Sequence, residues 1–438
     1  MTTTNIPNTD TTDAADAADA AGPAGAAGAA SAASAAGVTG APAADETAAQ
    51  AATAGATSDE TAAQAATAGA TSDGTAAQVA TSDEVAVAGE LMGRLFGAAL
   101  GAAELFTVYL GEVHGIYRAI DEGGPVTANE LAERTGLDHR YLVEWLQSQA
   151  ISGLLTINGS DVWTDEFALA PGVREALLEP TSPVYAGGLA AIVPAVGRAF
   201  PQLVDAFKSG AGVPYAAYGE EAVAAQEMLN RPAYVNALAS EWIPNVPGLH
   251  DLLTEGARVA DLGTGAGWSA IELAKAYPAV HVDGYDNDED SISRARRNAA
   301  EQSVADRVDF EVRDITEVVA GGTQYDLVTF FECVHDFAHP VEALVAARTA
   351  LAPGGRVIVM DERADEELQA PGDEVQRFLA AASTIWCTPQ GRVDEDSDVV
   401  GAIMRPHQLR HLAAHAGFTK VDVLPIDHPF WRFYELTP

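Results

Sequence analysis

Basic residues and cysteines are scarce in this sequence. The 438 residues include 24 lysines and arginines against 63 acidic residues, which gives a formal net charge of −39. A chain this acidic repels a phosphate backbone unless it carries a basic patch, and the sequence shows none. Its two cysteines, Cys333 and Cys387, have no paired metal-type spacing and exclude a disulfide framework.

Long apolar runs are also missing. No uninterrupted run reaches the length of a membrane span, and the first residues lack the basic-then-apolar pattern of a secretion signal. These absences predict a cytoplasmic protein with neither a membrane nor a nucleic acid as partner. The length exceeds that of one typical domain, so two or three units are expected.

Residues 1–86 differ in composition from the rest of the chain. Alanine, threonine, glycine, serine and acidic residues make up almost the whole segment, and the segment Asp45–Ser58 recurs unchanged as a 14-residue repeat at Asp59–Ser72. Such a segment has almost no large side chain to bury, so it cannot offset the entropy lost on ordering. We predict a disordered acidic tail, unless translation starts at Met92 instead.

The strongest pattern in the chain is a glycine-rich turn between an apolar run and a helix. Arg258–Leu262 has the composition of a strand, and Gly263, Gly265 and Gly267 follow at alternate positions. Alternate glycines let the backbone turn sharply and let a ligand approach the main chain at a helix N-terminus. A pyrophosphate is not expected, because Trp268 takes the place of the third glycine of the dinucleotide fingerprint.

Strands and helices alternate after this turn. Further strands are predicted at 281–286, 308–312, 325–331, 351–361, 419–424 and 430–436, with a helix at 406–417. This alternation predicts a parallel sheet with ligands at the carboxyl ends of its strands. The second strand ends in Asp286, where such a fold places a carboxylate that accepts from two ribose hydroxyls. Capping of the next helix by Asp286 is a compatible alternative.

The motif Asp-x-Gly-x-Gly-x-Gly from Asp261 to Gly267 resembles the first motif of class I S-adenosylmethionine (SAM) methyltransferases, and Leu351-Ala-Pro-Gly-Gly355 resembles a later one. The resemblance covers about Arg258 to Leu436. It implies an α/β fold with a seven-stranded, Rossmann-like methyltransferase domain over residues 251–438 and SAM as cofactor. In this family the glycine turn faces the methionine part, and an acid followed by an apolar residue holds the adenine. The residues expected to bind the cofactor are Asp261, Gly263, Gly265, Gly267, Asp286, Asn287, Asp314, Ile315 and Glu332.

Residues 87–180 have the pattern of a winged helix. Helices are predicted over 104–120, from the capping box Thr127–Glu130 and over 138–152, followed by a hairpin with strands at 154–157 and 162–164. A winged helix often binds DNA, but the predicted recognition helix carries one arginine against two acids. The domain also resembles the N-terminal domain of small-molecule O-methyltransferases, which packs against a second subunit and covers the substrate site. The resemblance therefore implies a homodimer.

Residues 181–250 join these two domains and are predicted to be a mostly helical linker and substrate lid. Segments inserted ahead of a nucleotide-binding fold commonly close over its site. Tyr218, Trp242 and Trp386 are candidates for lining a substrate pocket. Aromatic side chains on helices are more often core residues, so the core interpretation is favoured for Tyr218 and Trp242, whereas both interpretations stay open for Trp386.

His335 and Asp336 follow the fourth strand, where plant-type small-molecule O-methyltransferases carry a histidine base in a similar His-Asp pair. An imidazole with a pKa of about 6.5 can take a proton from a phenol or hydroxyl at neutral pH. The resemblance ends after the pair, because Phe-Ala-His-Pro340 replaces a Trp-led turn. Whether His335 is the catalytic base or a hydrogen-bonded structural group stays open.

Three other histidines have the spacing of a metal site. His407, His411 and His415 are four residues apart on a predicted helix, but no carboxylate or cysteine joins them at ligand spacing. We interpret them as one face of that helix and expect no metal.

Together these patterns predict a SAM-dependent methyltransferase that acts on a small organic acceptor, such as a hydroxyl of a secondary metabolite. Two alternatives stay open: a SAM-binding winged-helix transcriptional regulator, and a non-catalytic scaffold. The acceptor atom is not predicted, because O-, N- and C-methylation share one cofactor fold.

Overall fold

The computed structural model describes residues 81–438. Residues 1–80 of the predicted disordered tail lie outside the described residues. Its last residues belong to a helix that begins at Ser82, so the predicted boundary at residue 86 is wrong. Thr81 and Glu84 explain the early start, because the side chain of each accepts a hydrogen bond from the backbone N–H of the other.

Four helices open the described part of the chain: α1 (Ser82–Val113), α2 (Ile116–Gly123), α3 (Ala128–Thr135) and α4 (His139–Ile151). The helix predicted over 104–120 is interrupted between α1 and α2, because Gly115 adopts a left-handed conformation with φ +63°. The capping box predicted at Thr127 and Glu130 is confirmed at the start of α3.

An antiparallel pair of strands follows, in which β1 (Leu155–Ile157) pairs with β2 (Phe167–Leu169). The predicted second strand at 162–164 is therefore wrong. Those residues lie in the connecting turn, where Asp161 N–H donates to Asp165 Oδ2 and Trp163 N–H donates to Asp161 Oδ1. Aspartate side chains that accept from nearby backbone N–H groups favour a turn over a strand ladder.

Two further helices, α5 (Gly187–Ser209) and α6 (Glu220–Ala233), pack against each other. Tyr234–Trp242 continues α6 as a wider, π-helical segment, and α7 (Leu249–Glu255) follows. By length and composition alone, α1 and α5 are apolar enough to cross a membrane, although no long apolar run was expected. Many of their residues are alanine, which raises the mean hydropathy without a large side chain.

The C-terminal domain is built on a seven-stranded sheet with the order β5-β4-β3-β6-β7-β9-β8. Its elements in chain order are β3 (Arg258–Leu262), α8 (Trp268–Ala276), β4 (His281–Asp286), α9 (Glu289–Glu301), β5 (Val308–Val312), β6 (Tyr325–Phe331), α10 (Pro340–Thr349), β7 (Leu351–Glu362), α11 (Glu374–Ala382), α12 (Thr388–Gly391), α13 (Pro406–His415), β8 (Lys420–Val423) and β9 (Trp431–Thr437). The predicted Rossmann-like α/β fold is confirmed.

Strands β3 to β7 run parallel, whereas β9 is antiparallel to β7 and to β8. The five strands that alternate with helices thus form the predicted parallel sheet, and the last two strands make the whole sheet mixed. Its central strands are buried on both faces: Val259 and Leu327 pack into one core, and Ala260 and Val328 into the other. The strand order reverses between β3 and β6, and ligands of such sheets bind at the carboxyl ends of the strands at this point.

Candidate active site

The glycine turn connects β3 to α8 and is tied to the end of β4. The N–H groups of Gly263 and Thr264 donate to the carbonyl of Tyr285 at 2.8 and 3.0 Å. The N–H of Gly265 donates to Asp286 Oδ2 at 2.9 Å. Hydrogen bonds from the turn thus hold the carboxyl ends of β3 and β4 side by side.

Gly265 and Gly267 have different surroundings. Both have positive φ, +52° and +80°, but a Cβ on Gly265 would meet nothing within 4 Å, whereas a Cβ on Gly267 would lie 2.6 Å from Phe310 Cζ. Gly265 therefore faces open space, where a ligand can approach the backbone, and Gly267 is needed for packing between the turn and β5.

Asp261 lies behind the turn. Its Oδ2 accepts from Thr264 Oγ1 at 2.7 Å and from Ser269 Oγ at 2.6 Å, and its Oδ1 accepts from Thr329 Oγ1 at 2.7 Å. Burial raises the pKa of Asp261, and the three hydroxyls partly offset this rise. The carboxylate does not line the cavity described below, so its effect on a ligand is indirect.

Asp286 lies at the end of β4 and faces the same open space as Gly265. Its Oδ1 accepts from the N–H of Asp288 at 3.0 Å. The next helix, α9, is capped by Asp288 and not by Asp286, because the Asp288 side chain accepts from Ser291 N–H. Burial raises the pKa of Asp286 to about 6. Asp286 is thus free of the capping role that the sequence left open.

One cavity of about 460 Å³ joins most of the predicted cofactor residues. It is lined by Gly263, Gly265, Asp286, Asn287, Asp314, Ile315 and Glu332. The side chain of Ile315 is buried, and Asp314 Oδ1 accepts from Thr316 N–H at 2.8 Å, which fixes the acid at the rim. No lysine or arginine is among the residues lining this cavity in the described part of the chain. The cavity is therefore acidic.

Glu332 follows β6 with an unusual backbone. Its φ is +60°, and its N–H donates to the carbonyl of Met360 at 2.7 Å. Burial raises the pKa of Glu332 to about 7, and its Oε2 has no hydrogen-bond partner. A strained residue with an unpaired oxygen at a cavity wall indicates a ligand contact.

Aromatic side chains also line the cavity, but only one of the three predicted substrate residues is among them. Trp386 lines it together with Tyr215 and Tyr234. Tyr218 is fully buried and donates to the carbonyl of Ile385, and Trp242 packs on Trp431 and Phe433. Tyr218 and Trp242 are thus core residues, because their rings are enclosed by other elements.

His335 lies outside the cavity lining. It is 2% exposed, its Nδ1 is 2.7 Å from Asp361 Oδ1, and its Nε2 is 3.2 Å from Asp336 Oδ1. Burial lowers the pKa of His335, but the two carboxylates raise it more, so that it ends well above its ordinary value. Because each ring nitrogen faces a carboxylate oxygen, neither nitrogen is free to take a proton from an acceptor in the cavity. The structure thus does not confirm the base role and favours the structural interpretation.

Residues 181–250 are predicted to be a lid, but Glu227 on α6 is not among the predicted site residues. Glu227 lines the cavity and accepts from Trp268 Nε1 and Arg294 Nη1, both at 2.8 Å. It thereby fixes α6 over the start of α8 and over α9. These contacts span 41 and 67 residues of sequence, so no local pattern predicts them.

The family model described as "Methyltransferase domain" matches residues 253–417. The matched methyltransferase domain covers most of the C-terminal domain. It contains the glycine turn, Asp286, Asp314 and His335.

Relatives of this methyltransferase domain include 27-O-demethylrifamycin SV methyltransferase of Amycolatopsis mediterranei, 34% identical over 25% of this chain and 40% of that protein. The ubiquinone biosynthesis O-methyltransferase of Acinetobacter baylyi is 26% identical over 48% of this chain and 82% of its own length. An uncharacterized 37.1 kDa protein of a Streptomyces fradiae transposon is 30% identical over 40% of this chain. The alignment spans only 47% of that last relative.

Solved structures extend the likeness beyond the methyltransferase domain. The mitomycin 7-O-methyltransferase MmcR has a TM-score of 0.58 at 21% identity over 81% of this chain and 99% of its own. Human N-acetylserotonin methyltransferase, solved with SAM, has a TM-score of 0.59 at 17% identity over 79% of this chain and 97% of its own. Identities this low establish the fold alone.

The different surroundings of the two glycines predict different costs of adding a methyl group. Gly267→Ala should lower the free energy of unfolding by about 2–4 kcal/mol, because it adds a clash with Phe310 to left-handed strain. Gly265→Ala should cost only the strain, about 1–2 kcal/mol. Urea denaturation of both variants measures the difference. Equal losses would contradict the surroundings described for the turn.

Proposed function

We propose that the protein transfers a methyl group from SAM to a small organic acceptor. The observation that carries the proposal is the position of Asp286, whose carboxylate is fixed by Gly265 N–H at the wall of the cavity. A carboxylate at the end of the second strand, next to a glycine turn, suits the two hydroxyls of a ribose. The methyltransferase domain match supports the same reading.

The cavity fits the charge of SAM, which carries a sulfonium and an ammonium group. Glu332 offers an unpaired carboxylate oxygen, and several of the lining residues are acids without a lysine or arginine among them. Asp286 would accept from the ribose, Asp314 and Ile315 would hold the adenine, and Gly263 and Gly265 would face the methionine part. Asn287 would border the ribose, and Asp261 would act by holding the turn.

Methyl transfer from a sulfonium is an in-line displacement, so the protein has to align the acceptor with the methyl group and exclude water. Tyr215, Tyr234 and Trp386 supply an aromatic wall for this purpose. The bound cofactor supplies the electrophilic methyl group. A base is needed only if the acceptor atom carries a proton. His335 could serve only after leaving one of its carboxylates.

The acceptor class follows from the relatives by name. Rifamycin and mitomycin methyltransferases are among the similar proteins, and both names state O-methylation. These likenesses support a hydroxyl-bearing secondary metabolite as acceptor of this chain.

We also propose a homodimer formed through α1. Among its exposed apolar side chains are Leu91, Leu95 and Phe96, which are 46, 57 and 69% exposed. An apolar surface of this length on one helix suits association with a second copy. DNA binding has no such support, since Arg140 on α4 is paired with Glu144. A cytoplasmic location stays part of the proposal.

The first test is calorimetric titration with S-adenosylhomocysteine. Asp286→Ala should weaken binding by about 10–100-fold, because hydrogen bonds to a charged group contribute about 1.5–3 kcal/mol. Asp309→Ala is the matched control, since this aspartate on β5 has an exposed side chain and does not line the cavity. Absence of binding to the unmodified protein, or equal binding by Asp286→Ala, would refute the site.

Binding should also depend on pH through Asp286. The ionised carboxylate accepts from hydroxyls, and its pKa is about 6 before binding. Affinity should therefore fall by up to about tenfold per pH unit below pH 6 as Asp286 is protonated. Titrations of unmodified protein and of Asp286→Asn across this pH range measure the effect. A fall of the same size in Asp286→Asn would show that another group is responsible.

Sedimentation velocity tests the dimer. Leu91→Glu with Leu95→Glu should convert the dimer to a monomer, because two charges on the contact face would have to be buried. Leu368→Glu is the control, since this leucine of the C-terminal domain is 78% exposed and distant in sequence from α1. A monomeric unmodified protein, or a dimer that survives the double substitution, would contradict the proposal.

A further inference from the structure

Three potential metal ligands meet behind the wall of the cavity. The imidazole of His335, the carboxylate of Asp336 and the thiol of Cys387 each have one ligand atom within 4.8 Å of the others. His335 and Asp336 follow β6, whereas Cys387 ends the helical segment Ser383–Cys387 after α11. The fold brings these distant stretches together, which is why no sequence spacing indicated the cluster.

The imidazole of His335 is already held in the way that metal-binding histidines are held. Asp361 Oδ1 lies 2.7 Å from Nδ1, so the other ring nitrogen, Nε2, faces Asp336. Histidines that bind metals almost always donate their second ring N–H to a carboxylate or carbonyl, which fixes the tautomer and the ring orientation.

In the described part of the chain, no lysine or arginine forms an ion pair with the carboxylates around His335. Asp336 Oδ1 and Asp361 Oδ2 are buried and have no hydrogen-bond partner, and Asp361 is 1% exposed. Within residues 81–438, the ion pairs of these two carboxylates are with His335 alone, so neither has a lysine or arginine. One imidazolium cannot neutralise two carboxylates, and buried charge without a partner is costly. A bound cation would supply the missing charge and partner the free oxygens.

We propose that His335 Nε2, Asp336 and Cys387 Sγ form a binding site for Zn²⁺. Zinc accepts imidazole, carboxylate and thiolate ligands, whereas Mg²⁺ and Ca²⁺ take oxygen ligands. Three protein ligands leave a fourth position, as in catalytic zinc sites. Asp336 and Trp386, the neighbour of Cys387, line the cavity, so an acceptor bound in the cavity could reach that position.

A zinc ion there would lower the pKa of an acceptor hydroxyl or thiol that became its fourth ligand. This role rests on the proposed methyl transfer, whereas the metal site itself does not. It would also explain why the His335 ring is held away from the cavity lining.

Cobalt titration of the full chain, after removal of metals with a chelator, tests the site. Co²⁺ replaces Zn²⁺ in such sites and gives a near-ultraviolet charge-transfer band when a thiolate binds it. The band should appear in the unmodified protein, disappear on addition of Zn²⁺, and be absent from Cys387→Ser. Cys333→Ser is the matched control, because Cys333 is the other buried thiol and is not in the cluster.

Asp361→Asn gives a second variant that keeps all three ligands. It should weaken Zn²⁺ binding by about 10–100-fold, the usual effect of losing the outer partner of a metal-bound histidine. No thiolate band in the unmodified protein, or a band that persists in Cys387→Ser, would overturn the proposal. Calorimetry with S-adenosylhomocysteine on the same samples reports the cofactor site separately, so failure of one site is distinguishable from failure of the other.

Discussion

The buried carboxylate of Asp261 is the contact on which the site depends. Hydroxyls of three elements converge on it: Thr264 from the glycine turn, Ser269 from α8 and Thr329 from β6. A buried carboxylate without such partners costs several kcal/mol, so the three elements are held in one arrangement. The position of the Gly265 N–H, and with it the hydrogen bond to Asp286, follows from this arrangement.

Negative charge is in excess both in the cavity and in the neighbouring cluster around His335. Asp286 and Glu332 line a cavity without a lysine or arginine among its described lining residues, and burial raises the pKa values of both carboxyl groups. Around His335, the carboxylates of Asp336 and Asp361 likewise have no lysine or arginine as an ion-pair partner within residues 81–438. Such surroundings favour cationic ligands. A sulfonium cofactor in the cavity and a metal ion in the cluster would each supply positive charge.

The sequence predicted the C-terminal strands well because buried parallel strands form short apolar runs bounded by turn residues. It placed β3, β4, β5 and β6 at the observed residues, and the glycine spacing located the turn. Side-chain surroundings were harder to predict. Tyr218 and Trp242 are core residues, and His335 faces Asp361 across 26 residues of sequence. Such contacts depend on how distant elements pack, which no local pattern encodes.

The most direct test of the account is a crystal structure of the protein with S-adenosylhomocysteine. We expect the ribose hydroxyls to lie within about 2.5–3.0 Å of the Asp286 carboxylate. We also expect the adenine to lie beside Asp314 and Ile315 and the methionine part over Gly265. A ligand bound elsewhere, or one whose ribose does not contact Asp286, would contradict the assignment of this cavity as the cofactor site.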